Sequence, residues 1–365
     1  MSGQSASPVL PEVAGERPGT KTRVMIVDDS IVVRTVLERM VSEAGDIQVV
    51  ASESNAERAL ERLDSTEVDV ILLDLEMPGM GGIAAIPLLI ERSRGARIIV
   101  VSQYTPHGAE KAVEALSLGA ADTFPKPGSG GFDDAYRARL AGRVRGLAKP
   151  RPPAPKVVAA PVKLSNRRAP IAGAPRAIAI GASTGGIAAL QALLQSLPPR
   201  LGVPILIAQH LPGSFMTVFA KQVSKAAGRP AVVADEGMIL QPDHVYIAPG
   251  HAHLAVKQER DRVVVRLDHR PAASGCTPSL DPMFVSLARE LKGRVMGVVL
   301  SGMGRDGTIG AGELVAAGGC VLVQDAATSA VWGMPRAVAE AGFASAVLPP
   351  EAISERLAKQ LGVAA

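Results

Sequence analysis

The sequence predicts two doubly wound α/β domains joined by a proline-rich linker. Its 365 residues suffice for two or three domains. The stretch before the linker alternates short β-branched apolar runs with amphipathic segments, a pattern typical of βαβ units around a parallel sheet, and the stretch after it opens with a strand, a tight turn and a helix. Between them, residues 149–175 hold seven prolines and no hydrophobic periodicity, which indicates a linker. We therefore expect a disordered tail at 1–20, a first domain at 21–147, a proline-rich, basic linker at 148–175 and a second domain at 176–365.

Composition excludes several classes of protein. With 47% hydrophobic and 20% charged residues, the chain is neither collagen, nor a coiled coil, nor disordered throughout. No apolar run reaches the roughly 18 residues of a membrane span, and residues 1–20 lack the features of a signal peptide. We therefore expect no integral membrane segment. Cys276 and Cys320 are the only cysteines, which favours a cytoplasmic protein whose reduced thiols pack as small apolar residues.

The net charge of +4 is unevenly distributed. Residues 135–234 contain fifteen lysines and arginines and no acidic residue. Nucleic-acid binding is one interpretation, but the stretch has no helix-turn-helix spacing and no zinc-finger cysteines, and aromatic residues make up only 3% of the chain. We expect a docking or solvated surface and no nucleic-acid partner.

The first domain is predicted to contain five strands and five helices. The strands follow the β-branched apolar runs at 23–27, 47–52, 68–73, 96–102 and 120–124. The helices follow the amphipathic segments at 31–44, 56–63, 82–91, 109–118 and 133–147. In a doubly wound sheet, reactive groups gather at the carboxyl ends of the strands.

Polar residues stand at four of these strand ends. Asp28 and Asp29 end the first strand, Asp74 the third and Ser102 the fourth, and Lys126 follows the fifth. Three carboxylates at one edge repel one another unless a cation neutralises them, which predicts a divalent metal with oxygen ligands, Mg²⁺ being the natural candidate.

The same cluster predicts phosphoryl chemistry. A carboxylate beside Mg²⁺ and an ammonium can attack phosphorus, with the metal and Lys126 stabilising the oxygens, and Asp74 is the predicted nucleophile. The alternative is that aspartates after strands only cap helices. Capping would explain Asp29 or Asp74 singly, but not the acid pair together with Ser102 and Lys126.

Residues 22–147 resemble the receiver domain of two-component response regulators. The resemblance rests on the motifs IVDDS, LLDLEMPGM, VVS and KP. It implies a flavodoxin-like fold in which Asp74 accepts a phosphoryl group from a histidine kinase. It also implies that Asp28 and Asp29 help to hold Mg²⁺, together with the backbone carbonyl of Glu76.

The resemblance further implies that Ser102 and Lys126 contact the phosphoryl oxygens. Two positions depart from the receiver pattern. Thr123 stands where receivers usually have an aromatic switch residue, with Phe124 one position later, and Gly81 stands where many have aspartate. The first departure puts the usual coupling of serine to the aromatic residue in doubt, but not the phosphoryl chemistry.

The second domain opens with a strand, a tight turn and a helix. The apolar run AIAI leads into GASTGG at 181–186, followed by a helical pattern at 187–197. Glycines around Ser183 allow a sharp turn that exposes its hydroxyl beside the free N–H groups of the helix start. The hydroxyl could then act as a nucleophile, and the N–H groups could form an oxyanion hole. A rival interpretation is a phosphate or dinucleotide cradle. This interpretation fits less well, because the dinucleotide-binding fingerprint has glycine at the position that Ser183 occupies.

A base and an orienting carboxylate follow at later strand ends. His210 ends the apolar run VPILIAQ, and Asp306 follows RVMGVVL in a glycine-rich turn, so both should reach the edge that carries Ser183. The alternative for Asp306 is that it only caps the next helix. His251 and His253 are spaced like a metal pair on one face of a strand, but no third ligand is evident.

Residues 176–362 resemble the catalytic domain of the chemotaxis protein-glutamate methylesterases. GASTGG, QHLPGSF, VYIAPG, SGMGRDG and VWGMPRAV carry the resemblance, and with a receiver in front the architecture is similar to CheB-type response regulators. The resemblance implies that Ser183 is the nucleophile, His210 the base and Asp306 the third member. The chain order Ser, His, Asp differs from that of α/β-hydrolases.

The resemblance also implies an activity. Thr184, Gly185 and Met303 would line the site, and the substrates would be glutamyl γ-methyl esters and glutamines on methyl-accepting chemoreceptors. The esterase reaction would need no cofactor, and phosphorylation at Asp74 would relieve inhibition by the receiver. The alternatives are a binding regulator without catalysis, a DNA-binding output domain and an esterase acting outside chemotaxis.

Overall fold

The computed structural model describes residues 21–103, 105–126, 133–148 and 173–363. These residues form two α/β domains, each built on its own parallel sheet. The tail at 1–20 and residues 149–172 of the linker lie outside the described residues, so the predictions about them stay predictions.

Within the described residues, strands and helices of the first domain alternate. In chain order they are β1 (Thr22–Val27), α1 (Ile31–Ser42), β2 (Ile47–Glu53), α2 (Ala56–Leu63), β3 (Val70–Leu73), α3 (Gly81–Arg92), β4 (Arg97–Ser102), α4 (Pro106–Ser117), β5 (Asp122–Pro125) and α5 (Asp134–Leu147). All strands are parallel, in the order β2-β1-β3-β4-β5. This is the flavodoxin-like order, so the predicted fold class is confirmed.

The predicted strands and helices of this domain are all present, with ends that differ by at most three residues. The largest difference is at the start of α4, which the apolar periodicity placed at Ala109. The hydroxyl of Thr105 caps this helix by accepting a hydrogen bond from the backbone N–H of Gly108 at 3.0 Å. A capping threonine followed by Pro106 begins the helix before its first apolar residue.

The second domain has a larger parallel sheet and a separate hairpin. Its elements are β6 (Ala177–Ala182), α6 (Gly186–Gln195), β7 (Ile205–Gln209), a 3-10 turn (Gly213–Phe215), α7 (Met216–Ala227), β8 (Ala231–Val233), β9 (Val245–Ile247), β10 (His253–Glu259), β11 (Arg262–Asp268), α8 (Leu280–Leu291), β12 (Val295–Val299), α9 (Thr308–Ala316), β13 (Cys320–Gln324), α10 (Met334–Glu340), β14 (Ala346–Leu348) and α11 (Pro350–Leu361). The sheet order is β14-β13-β12-β6-β7-β9-β8, and β10 pairs with β11 antiparallel. The prediction of a mostly parallel α/β domain is confirmed.

Strand β6 lies at the centre of this sheet, between β12 and β7, and is buried along its whole length. The chain continues from β6 to β7 on one side and arrives at β12 on the other, so the strand order reverses here. A reversal point of this kind is where doubly wound sheets bind ligands. Gly181 lets the start of α8 approach the strand end, because a Cβ there would lie 1.6 Å from Cδ2 of Leu280.

The two domains pack against each other. Helix α4 of the first domain lies against the 3-10 turn, α6 and α7 of the second. The hydroxyl of Ser117, at the end of α4, donates to Oε1 of Gln222 at 2.6 Å. In α5, Gly146 leaves room for Met303, since a Cβ there would lie 1.9 Å from Cε of that methionine. Helices α4 and α5 therefore form the face that meets the second domain.

Two expectations from composition can be compared with the described residues. None of the helices in the described ranges is both long and apolar enough to cross a membrane. Cys320, in β13, is buried in the core of the second domain, and burial raises the pKa of its thiol to about 11. This thiol packs as a small apolar residue, as predicted.

Candidate functional site

The carboxyl edge of the first sheet brings together the acidic residues that the sequence indicated. Asp28 and Asp74 are buried, and Asp29 is exposed beside them. Each of the three offers one carboxylate oxygen, and these oxygens lie within 4.8 Å of one another. Nζ of Lys126 lies 3.1 Å from Oδ2 of Asp28 and 2.7 Å from Oδ2 of Asp74. One ammonium therefore faces two buried carboxylates.

The donor set fits Mg²⁺. Oδ1 of Asp28 and Oδ1 of Asp74 accept hydrogen bonds from the backbone N–H groups of Ser30 and Glu76. Oδ2 of each aspartate is buried and faces the Lys126 ammonium, with no backbone donor from the described residues. Buried carboxylate oxygens without a backbone donor are the kind of ligand that a hard divalent cation takes.

The charges at this edge shift the pKa values of both partners. Burial raises the pKa of Asp74, and the nearby Lys126 only partly offsets it. Burial acts to lower the pKa of Lys126, but its hydrogen bond to Asp74 and the charges of both aspartates outweigh burial and raise it. A further positive charge here would favour the ionised form of Asp74.

A small cavity of about 40 Å³ opens beside Asp74, Ser102 and Lys126. The hydroxyl of Ser102 is buried and has no hydrogen-bond partner in the described part of the chain. Thr123 is buried in β5, and the ring of Phe124 packs edge-on against Tyr136 of α5 with centroids 5.0 Å apart. The aromatic residue of β5 therefore packs against α5.

In the second domain, Ser183 follows β6 in the turn that the sequence predicted. It is 6% exposed, and its backbone N–H donates to the carbonyl of Ser301 at 3.0 Å. Gly185 has a φ of 72°, and α6 begins at Gly186. A left-handed backbone conformation at this position favours glycine. This conformation turns the chain from strand β6 to helix α6 within three residues.

His210 and Asp306 meet at the same edge. Nε2 of His210 lies 2.7 Å from Oδ2 of Asp306. Asp306 does not cap α9, whose N-cap is Gly307. It accepts hydrogen bonds from the start of α8 instead, from the hydroxyl of Ser279 at 2.6 Å and the N–H of Leu280 at 2.8 Å. Within the described ranges no hydrogen bond joins the hydroxyl of Ser183 to His210.

The prediction that Cys276 packs as a small apolar residue is wrong. Its thiol is half-buried, donates to the backbone carbonyl of Ser274 at 3.8 Å and lies beside the imidazole of His210. Burial acts to lower the pKa of His210, but the Asp306 carboxylate, 2.7 Å from Nε2, and the Cys276 thiol outweigh burial and raise the pKa to about 9. The neighbouring imidazole lowers the pKa of the Cys276 thiol. The carboxylate and the thiol therefore both favour the imidazolium form of His210.

The predicted spacing of His251 and His253 does not produce a shared face. Strand β10 begins at His253, and His251 precedes it and stacks on His269 with ring centroids 6.1 Å apart. Nδ1 of His253 accepts a hydrogen bond from the N–H of Ser279 at 2.9 Å, and Nε2 lies 2.8 Å from the carbonyl of Arg270. Both ring nitrogens of His253 are therefore used inside the protein.

The first domain covers the Ser183 turn. The hydroxyl of Thr184 donates to Oδ2 of Asp122 at 2.7 Å, and Nη1 of Arg143 donates to both groups. The backbone N–H of Gly185 donates to the carbonyl of Ala121 at 2.6 Å. A donor of the predicted oxyanion hole is thus already paired with a carbonyl of the other domain.

Part of the basic stretch at 135–234 lies in this contact or in the first domain. Arg143 pairs with Asp122 at 3.0 Å, and Arg145 pairs with Asp46 at 2.6 Å. These arginines of α5 are neutralised by acids of the first domain. Arg143 lies at the contact between the domains, whereas Arg145 is paired inside the first domain, so the docking interpretation of the whole stretch stays a prediction.

Comparisons with known proteins find relatives of both domains of the chain. The family model for CheB methylesterase matches residues 178–357, and that for the response regulator receiver domain matches residues 24–131. A protein-glutamate methylesterase/protein-glutamine glutaminase of Nitrobacter hamburgensis is 38% identical over 374 residues, which cover 97% of each chain. The chain belongs to the CheB methylesterase family. A second relative in this CheB family, protein-glutamate methylesterase/protein-glutamine glutaminase 2 of Caulobacter vibrioides, is 44% identical and covers 93% of this chain and 98% of its own.

Among solved structures, the second domain of this CheB family member is similar to the CheB methylesterase catalytic domain of Thermotoga maritima. The two are 34% identical with a TM-score of 0.50, and the match covers 51% of this chain and 99% of that domain.

Sequence reasoning missed three groups around the Ser183 edge. Ser279 could have been noticed, because serine before an amphipathic apolar segment is an N-cap signal. Cys276 and Arg143 gave no local signal. Their contacts with His210 and Thr184 join residues far apart in the chain, and only the packing of the folded chain brings them together.

Proposed function

We propose that the chain is a phosphorylation-controlled hydrolase that demethylates glutamate γ-methyl esters on chemoreceptors and deamidates glutamines there, in the cytoplasm. One observation carries the proposal: His210 and Asp306 are paired at the carboxyl edge of the sheet, where the Ser183 turn also lies. The substrate class rests on the relatives, which match nearly the whole chain and are named for these two activities.

Ser183 is the proposed nucleophile. Its Oγ attacks the carbonyl carbon of the ester, and Nδ1 of His210 takes the proton, since Nε2 already faces Asp306. The buried carboxylate stabilises the imidazolium, which then protonates the departing methoxide so that methanol leaves. Water hydrolyses the acyl-serine to a free carboxylate. A positioned base contributes about 10²- to 10⁴-fold to such a step.

The Gly185 N–H is a proposed donor to the tetrahedral oxyanion, with Thr184 and Met303 lining the site. In the arrangement described here that N–H donates to the carbonyl of Ala121 instead. An ester carbonyl cannot use a donor that another carbonyl occupies. The contact supports an inhibited state in which the receiver fills part of the esterase site.

Phosphorylation of Asp74 by a histidine kinase is the proposed signal. Asp28, Asp29 and Asp74, with the Glu76 carbonyl, would hold Mg²⁺, which when bound neutralises the oxygens of the transferring phosphoryl group. A carboxylate oxygen of Asp74 attacks the phosphorus of the kinase phosphohistidine, the P–N bond breaks, and the imidazole of the kinase leaves with the electron pair. Lys126, already 2.7 Å from that carboxylate, balances the added negative charge. The hydroxyl of Ser102, which has no hydrogen-bond partner among the described residues, is the proposed donor to a phosphoryl oxygen.

Strand β5 and helix α4 connect the two sites. Strand β5 begins at Asp122 and ends just before Lys126. At roughly 3.3 Å per residue, these two residues are about 13 Å apart along the strand. Helix α4 follows the loop after Ser102 and packs on the second domain. A new charge at Asp74 can therefore shift the population from closed to open domain arrangements through elements that touch both sites.

Methanol release from methylated chemoreceptor membranes tests the proposal. The full chain, Ser183→Ala and Asp74→Asn would be compared with and without a small-molecule phosphodonor and Mg²⁺. We expect release that requires Ser183, and stimulation by the phosphodonor that requires Asp74.

Each other outcome rejects a defined part of the proposal. No release by wild-type protein whose phosphorylation is verified would favour a binding regulator or another ester. Release at an equal rate with and without phosphodonor would reject the control by phosphorylation. Release by Ser183→Ala at the wild-type rate would reject the nucleophile.

A further inference from the structure

The Asp306 carboxylate is held by three donors. Nε2 of His210 and the N–H of Leu280 both face Oδ2, at 2.7 and 2.8 Å. Oδ1 accepts from the hydroxyl of Ser279 at 2.6 Å, its one hydrogen bond to the described residues. Two donors on Oδ2 still allow the carboxylate plane to rotate about that oxygen. A third donor on Oδ1 fixes the plane.

The direction of the Ser279 hydrogen bond follows from its neighbours. Its Oγ accepts from the N–H of Asp281 at 3.2 Å and from the hydroxyl of Ser274 at 3.3 Å. A hydroxyl has one hydrogen and two lone pairs, so with both lone pairs used its hydrogen is left for Asp306. Ser279 is fully buried, so bulk water does not compete for these bonds.

The backbone of Ser279 is fixed as well. Its N–H donates to Nδ1 of His253 at 2.9 Å, which requires that nitrogen to be unprotonated. Nε2–H of the same ring then donates to the Arg270 carbonyl at 2.8 Å, so the neutral ring has both nitrogens satisfied. A buried neutral histidine with both nitrogens bonded holds the start of α8 in one position.

We propose that Ser279 is a positioning residue for the hydrolysis, which orients the Asp306 carboxylate so that Oδ2 faces Nε2 of His210 and Nδ1 is left to take the proton. This inference rests on the proposed function. In the part of the chain that the structure describes, two other titratable groups lie against the pair: the Cys276 thiol at His210, and the buried carboxyl of Asp281 at Asp306. Burial, with the charge of Asp306, raises the pKa of Asp281 to about 6.

Methanol release by the phosphorylated full chain, measured from low to high pH, tests the inference. We expect Ser279→Ala to lower kcat about 10- to 100-fold, as for a lost hydrogen bond to a charged group, with KM unchanged. The acid limb of kcat/KM should move to higher pH, because an Asp306 carboxylate that has lost one hydrogen-bond donor stabilises the imidazolium more strongly. Ser279→Thr keeps a hydroxyl and should restore both kcat and the position of the acid limb. All variants contain the same receiver domain, so any titration of the receiver cancels when the rate of each variant is divided by the wild-type rate at the same pH.

Capping of α8 is the competing role of Ser279. Asn55→Ala is the matched control, because Asn55 caps α2 in the first domain through the N–H of Arg58 at 2.9 Å. A Ser279→Ala protein that is less stable but keeps wild-type kcat and the wild-type acid limb would overturn the inference. If Ser279→Ala does not fold, Ser279→Cys replaces the hydroxyl by a weaker donor, and an unchanged kcat in that variant overturns it equally. Absence of methanol release by wild-type protein is a different result and rejects the proposed function itself.

Discussion

The two sheet edges use the same architecture but differ in what covers them. At the receiver edge, Asp74 and Lys126 face a small cavity beside the exposed Asp29. At the esterase edge, Ser183 and Asp306 are buried, and the turn between β6 and α6 is bonded to the receiver. A phosphoryl group is small enough for a narrow opening, whereas a glutamyl side chain on a protein needs an uncovered edge. Under the proposed function, access to the second edge, rather than its chemistry, is therefore the quantity that phosphorylation would control.

The largest expected effect separates the chemistry of the two edges. Asp306→Asn should lower kcat about 10⁴-fold, because the amide cannot stabilise the imidazolium and favours the wrong tautomer. Phosphorylation at Asp74 should be unchanged. Methanol release and phosphoprotein formation, measured on one preparation, check both statements. A loss of phosphorylation in this variant would mean that the two edges are not chemically independent.

Asp74→Asn should produce the converse result. The variant should lose all stimulation by phosphodonor while keeping the unstimulated rate of methanol release, because the amide cannot accept a phosphoryl group. The measurement is the ratio of stimulated to unstimulated release in the full chain. Residual stimulation would point to a second acceptor.

A smaller effect is expected at the contact between the domains. Arg143→Ala removes hydrogen bonds to Asp122 and Thr184 and should raise the unstimulated rate about 2- to 10-fold, as expected for partly exposed hydrogen bonds. Arg145→Ala is the matched control, since that residue lies on the same helix and pairs with Asp46 inside the receiver. Equal rates in the two variants would contradict the role of this contact in inhibition.

The smallest expected effect concerns pH. His210 acts as a base only when neutral, and with its pKa raised to about 9 the acid limb of kcat/KM should extend to alkaline pH. Cys276→Ala removes a group that stabilises the imidazolium, so the limb should move to lower pH, toward the ordinary histidine value of about 6.5. Cys320→Ala, in the core at β13, should leave the limb in place. A limb unmoved by Cys276→Ala would show that the thiol does not influence the base.

Local patterns determine most of what could be predicted. The runs of apolar residues place β6, β7 and β12, and parallel pairing brings the residues after them to one edge, so His210 and Asp306 could be paired from the sequence. The hydrogen bond between Arg143 and Thr184 could not, because it depends on how two folded surfaces fit. The Cys276 thiol could not either, since the loop before α8 has no periodic pattern.

In the proposed inhibited state, the hydrogen bond from the N–H of Gly185 to the Ala121 carbonyl would make the receiver a tethered competitor of its own enzyme. A competitor on the same chain acts at a fixed effective concentration that dilution of the protein does not change. Substrate can displace it only by exceeding that concentration. Inhibition in the unphosphorylated chain is therefore expected to raise KM more than it lowers kcat. Densely clustered methyl esters would be hydrolysed under conditions in which dispersed ones are spared.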